Sequence, residues 1–111
     1  MDVGYAVIEK RRPIRSKKIL AAAKGEDCAW PACGLCDGTV VAAHSNELSD
    51  GKGMRQKADD FYVAFLCGHH HDFYDGRIAS KNSTINKQEY FNIAMKKTWR
   101  RLWDRGIIGE K

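Results

Sequence analysis

The 111-residue sequence has no apolar run approaching the roughly 20 residues that a membrane-spanning helix requires. Its N-terminus lacks the apolar core of a secretion signal. No internal repeat, low-complexity tract or linker interrupts it. The first absence argues against a helical membrane protein, the second against export, and the third against a repeat array or a string of modules. The resulting expectation is a single unit over residues 1–111 that stays in the cytoplasm. In a reducing compartment four cysteines point to metal more than to disulfides.

Charge of one sign is in excess. Lys and Arg number 19 against 14 Asp and Glu, a net charge of +5. Much of the excess sits near the ends, in Lys10-Arg11-Arg12, Arg15 and Lys17-Lys18, and in Lys96-Lys97 and Arg100-Arg101. Such a balance suits a polyanionic partner, nucleic acid first. A chain this short buries only about 60–70% of its unfolded surface, so a metal staple would help it materially.

Chemistry concentrates in Cys67-Gly68-His69-His70-His71-Asp72-Phe73-Tyr74-Asp75. This stretch follows an apolar run, Phe61 to Leu66, that reads as a buried strand. If a helix begins at Cys67, then Cys67 and His70 can bind one metal from its first turn. His71 and Asp75, four apart on the next face, can bind a second.

The other elements follow from local signals. Residues 1–15 are basic and broken by Pro13, and read as a mobile arm or an edge segment. Ser16 can cap a short helix through Ile19 to Ala23, stopped by Gly25. A cysteine-bearing loop spans Gly25 to Asp37, and Thr39 to Ala43 is a strand that delivers His44 at its end. Ser45 to Asp59 is a polar loop with Lys52, Arg55 and Lys57. Asn86 and Glu89 form a capping box for a last helix over 86–106, with Ile85 as a staple. Phe91, Ala94, Met95, Thr98 and Leu102 are its buried stripe, widened by Trp99 and Trp103.

A structural zinc takes four N or S ligands, commonly from two short segments. Cys67 and His70 are one half. The other half is Cys33 with Cys36, a C-x2-C knuckle, or Cys28 with Cys36 in a longer loop. His44, Asp60, His71 and Asp75 remain for a second, catalytic divalent cation and for proton transfer, with Arg55 and Lys57 to hold phosphate.

Strand, histidine, loop, strand and a ligand-bearing helix resemble the ββα-metal arrangement of the HNH nuclease superfamily, and within it the small prophage nucleases of the YbcO type. The residues that carry the resemblance are Cys28, Cys36-Asp37-Gly38, Ala43-His44, Gly53-x3-Lys57-x2-Asp60 and Cys67-x2-His70-His71-x3-Asp75-Gly76-Arg77. The resemblance implies an α+β, zinc-stapled ββα fold with a short N-terminal helix and a longer C-terminal one. It implies zinc on Cys28, Cys36, Cys67 and His70, with Cys33 outside the set. It makes His44 the general base and His71, with Asp75, the holder of Mg²⁺ or Mn²⁺. Arg77 joins Lys57 and Arg55 as a substrate contact.

Ala43 departs from the pattern, because many such enzymes place a metal ligand just before the base. Either the metal is held weakly or Asp60 completes its shell. The implied function is a metal-dependent DNA endonuclease of phage or prophage origin, working in the cytoplasm of a bacterial host. Its rival is a non-catalytic zinc-stapled module that binds DNA during recombination.

Overall fold

The computed structural model describes residues 13–31, 33, 38–53, 56–77 and 86–109. In chain order the elements are α1 (Lys17–Ala21), β1 (Val41–His44), β2 (Val63–Leu66), α2 (Gly68–Tyr74) and α3 (Lys87–Asp104). A 3₁₀ turn, Leu48–Asp50, lies between the strands. The fold is α+β, with helices packed around a two-stranded antiparallel sheet.

Helix ends follow the capping residues. Ser16 Oγ accepts the Ile19 amide at 3.2 Å and starts α1. Asn86 Oδ1 accepts the Glu89 amide at 3.0 Å and starts α3. Gly106, at φ +72°, takes the left-handed conformation that stops α3 at low cost. The proposed staple residue Ile85 and residues 1–12 lie outside the described residues.

The strands pair Val41 with Leu66, Ala42 with Phe65, Ala43 with Ala64 and His44 with Val63. All of β2 is buried. Among the described residues its outward edge is closed by side structures instead of a third strand. The Phe65 amide donates to Thr98 Oγ1 of α3 at 2.9 Å, and the Phe65 carbonyl accepts the Ala29 amide at 2.7 Å. Thr98 in turn donates to the Ala94 carbonyl at 2.9 Å. No backbone group at Phe65 is left dry and unpaired.

The core gathers Val63, Phe65 and Leu66 of β2 with Phe91 and Leu102 of α3, all fully buried. Tyr74 stacks on Phe91 with ring centres 4.2 Å apart, fixing α2 against α3. The expected stripe of Phe91, Ala94, Met95, Thr98 and Leu102 is the buried face of α3. Trp99 joins it by stacking on Phe61 and donating to the Phe61 carbonyl. Trp103 does not. It is 55% exposed, because the helix turns that position away from the sheet.

Of the two readings of residues 1–15, Ile14 and Arg15 fit the edge segment. The Asp60 amide donates to the Ile14 carbonyl at 2.8 Å, and the Ile14 amide donates to Asp59 Oδ1 at 3.1 Å. Backbone pairing of this kind pins the segment beside the loop that ends in Asp60.

Candidate active site and metal centre

Cys28, Cys33, Cys67 and His70 come together where the cysteine-bearing loop meets the start of α2, and their ligand atoms all lie within 4.8 Å of one another. His70 Nδ1 is 3.4 Å from Cys67 Sγ and 3.8 Å from Cys28 Sγ. A zinc tetrahedron with ordinary Zn–S and Zn–N bonds has edges of roughly 3.5–3.8 Å. The four side chains are therefore close enough to bind a metal ion.

The His70 ring lies flat against Trp30, with centres 5.4 Å apart and planes 13° from parallel. Burial, with some help from the charge of His69, holds His70 below the usual histidine range, which favours the neutral, ligating form. Burial pushes the Cys28 and Cys67 thiols up. A bound cation would reverse that by favouring thiolates.

On the neighbouring side of α2 the end of β1 and the polar loop form a cleft of about 180 Å³. His44, Ser45, Asn46, Lys52, Lys57, Ala58, His71 and Asp75 line it. His71 Nε2 and Asp75 Oδ2 lie 3.1 Å apart, as the i, i+4 spacing dictates. Asn46 Nδ2 donates to Asp75 Oδ1 at 3.2 Å, and the Asn46 amide donates to the Tyr74 hydroxyl at 2.8 Å. Burial pushes the Tyr74 phenol up, so it stays protonated and donates to Gln88 Oε1 at 2.6 Å. A chain of hydrogen bonds thus runs from α3 through Tyr74 and Asn46 to Asp75.

Asp60 sits behind His44, not in the cleft. It is 3% exposed. Its Oδ1 is 2.8 Å from His44 Nε2 and 3.3 Å from Arg15 Nη1, and its Oδ2 accepts the Ser16 amide at 2.7 Å. Burial opposes ionisation of this carboxyl. The bonds from His44 and Ser16, with the charges of His44 and Arg15, outweigh it and hold the group below the usual range. The metal shell that the sequence reading offered Asp60 would lie on the far side of His44, and the carboxyl instead bonds the His44 ring.

The other expected site residues divide as follows. His44, His71, Asp75 and Lys57 share the cleft. Arg77 is paired outside it, with Asp72 at 3.0 Å and Asp75 at 3.6 Å. Cys28, Cys67 and His70 meet as expected, and Cys33, expected to stand apart, meets them too. Cys36 and Arg55 lie outside the described residues.

Ala43 is buried in the core, so this position supplies no ligand to the cleft. Asn46, Lys52 and Arg15 were not singled out as site residues from sequence. Lys52 carried a signal as one of the basic residues of the polar loop, and Asn46 as a residue two beyond a strand-end histidine. Among the described residues no second group of three or more Cys, His, Asp or Glu converges as tightly as the Cys/His cluster.

A two-stranded sheet feeding a short helix, with a Cys/His cluster able to hold a metal at the junction, defines a small ββα fold. The chain belongs to the family described as "Putative nuclease YbcO", whose model matches residues 17–107. A solved structure described as that of "a putative bacteriophage protein" from Escherichia coli K-12 MG1655 is similar to it, with a TM-score of 0.54 and 24% identity. The match covers 78% of this chain and 98% of that one, and it supports the fold. No curated protein matches the chain.

Proposed function

We propose that the chain is a metal-dependent HNH-type endonuclease of phage or prophage origin that hydrolyses DNA phosphodiester bonds in a bacterial cytoplasm. The observation that carries this reading is the shared cleft, in which His44, Lys57, His71 and Asp75 face one small space beside the Cys/His cluster. Residues 1–111 are read as one HNH-like unit.

Zinc suits the thiolate- and imidazole-rich cluster, where it would hold the loop to the β2–α2 junction. His71 and Asp75 offer one nitrogen and one oxygen and leave positions open, a donor set that fits Mg²⁺ or Mn²⁺ with water and phosphate. Such a cation, when bound, supplies charge stabilisation to the reacting phosphate and to the leaving 3′-oxygen.

The rest is done by side chains. His44 takes a proton from the attacking water, whose oxygen bonds to phosphorus as the P–O3′ bond breaks. Lys57 and Lys52 are exposed at the rim and hold the backbone phosphates. Arg55 and Arg77 are further candidates for that role. Asn46 keeps Asp75 turned toward His71.

One feature favours a second reading. Ala43 brings no ligand, which suits a non-catalytic DNA-binding or recombination accessory module that keeps the fold.

Plasmid nicking with Mg²⁺ or Mn²⁺, compared with EDTA, separates the two. His44→Ala should lower cleavage by about 10²–10⁴. It should keep its zinc and melt within a few degrees of the wild type, since Arg15 and Ser16 still satisfy Asp60. Wild-type-like cleavage by His44→Ala would exclude His44 as the base. No cleavage with any metal, beside DNA binding that weakens steeply with salt, would establish the accessory module.

A further inference from the structure

We propose that Asp60 is a positioning residue that fixes His44 in the tautomer able to act as a base, and that the Ile14–Ser16 segment locks Asp60 in place. The inference rests on the hydrolytic reading of the cleft.

Three groups converge on Asp60: the Arg15 guanidinium and the Ser16 amide, which can only donate, and His44 Nε2, whose role depends on the tautomer. An ionised carboxylate only accepts, so it satisfies all of them at once. The hydrogen between His44 and Asp60 therefore belongs to Nε2. In neutral imidazole the lone pair is then on Nδ1. Among the described residues Nδ1 has no hydrogen-bond partner, while the ring lines the cleft. The atom that would take the proton from water is thus selected by a buried group that never reaches the substrate.

The lock comes from chain ahead of α1. Arg15 Nη1 donates to the Ala58 carbonyl at 2.7 Å and Nη2 to the Lys57 carbonyl at 3.2 Å. Together with the Ile14 backbone bonds to Asp59 and Asp60, these hold residues 57–60 against the start of α1. Ile14, Arg15 and Ser16 all precede the span that the family model matches. The site therefore recruits residues from outside that span.

Asp60→Asn is the informative change, because a carboxamide puts a donor where only acceptors fit. Its NH₂ must face either the Ser16 amide or the His44–Arg15 side. The Ser16 amide is backbone and cannot change its hydrogen. Arg15 is half-exposed and can swing out, and His44 can move its proton to Nδ1. The variant should therefore switch the tautomer and present an N–H to the cleft.

The experiment is ¹⁵N NMR on histidine-labelled, zinc-replete protein at mildly alkaline pH, beside steady-state cleavage. The wild type should show His44 as Nε2–H. Folded Asp60→Asn should show Nδ1–H, with kcat lower by about 10²–10³ and KM within about threefold. A merely structural role would leave the tautomer alone.

A wild type in the Nδ1–H form overturns the proposal without any variant, which covers the case in which Asp60→Asn does not fold. In a folded variant, an unchanged tautomer or an unchanged kcat also overturns it. Absence of cleavage by the wild type would instead remove the nuclease reading, and the tautomer pair would still decide the Asp60 contact.

Discussion

At the scale of single residues, Cys33 is where the structure departs from the family resemblance, while the C-x2-C spacing keeps it as a ligand. A match that skips it leaves Cys28 and Cys36 as the ligands, yet the chain turns back at Trp30, and the Cys33 amide donates to the Trp30 carbonyl at 3.2 Å. That turn carries Cys33 into the group formed by Cys28, Cys67 and His70. Cys33→Ser should therefore lower bound zinc well below one per chain and lower the melting temperature by about 10 °C or more, since a structural zinc contributes on the order of 10 kcal/mol. Metal analysis beside a melting curve checks this, and full zinc in Cys33→Ser would return the role to Cys36. Asp60 makes a separate prediction about acid. Its folded carboxyl is held low, so the ionised form favours the native state. That contribution is complete above about pH 4, the unfolded value, and is lost as pH falls through the folded value. The wild type should melt higher than Asp60→Asn at pH 7, and the gap should hold down to about pH 4 and close as pH falls below it. A gap that stays constant as pH falls further would show that the carboxylate charge contributes nothing.

At the scale of elements, β2 depends on a bond that no local pattern announces. Thr98 looks like one more residue of the apolar stripe, but its hydroxyl accepts the buried Phe65 amide from 33 residues away. Thr98→Val keeps the shape and removes the acceptor, leaving a dry amide. The expected cost is about 1–3 kcal/mol, seen as a lower melting temperature and faster hydrogen exchange at Phe65. Thr98→Ser should restore most of it, and a silent Thr98→Val would mean that water reaches the strand edge. The same contrast explains what could be read beforehand. Both capped helices were legible because Ser16 and Asn86 act on amides three residues ahead. The β2–α2 junction was legible because an apolar run meets a cluster of ligand residues. His44, His71 and Asp75 could be placed in one cleft because β1, β2 and α2 follow each other closely. The clamp on Asp60 was not legible, because Arg15 and Ser16 lie 44 or 45 residues from it and basic composition alone reads as solvated chain. Trp103 was misjudged because helical spacing gives a face without saying how wide that face is.

Across the whole molecule, the proposed function has the two groups on α2 divide the work between holding the fold and doing the chemistry. His70 and His71 are neighbours, so they point about 100° apart around the helix axis. One faces Cys28, Cys33 and Cys67, and the other faces the cleft with His44. The first site joins a loop near the N-terminal end to the β2–α2 junction, in a chain short enough for a metal staple to help materially. The second touches only side chains at the surface of elements already in place. Removing metal from each should therefore have opposite signatures. A strong chelator that strips zinc should abolish the cooperative melt, and zinc, but not Mg²⁺, should restore it. Leaving Mg²⁺ and Mn²⁺ out of zinc-replete protein should change the melting temperature by less than about 2 °C while stopping cleavage, because a weakly held ion stabilises only through mass action. His70→Ala should reproduce the first behaviour. His71→Ala should reproduce the second and respond poorly to excess Mn²⁺. Circular dichroism melts with metal analysis and plasmid cleavage, run on the same samples, give the readout. If the chelated protein melts as sharply as before, the packing of Phe65, Leu66, Phe91 and Leu102 holds the fold without metal, and the Cys/His cluster is not its staple.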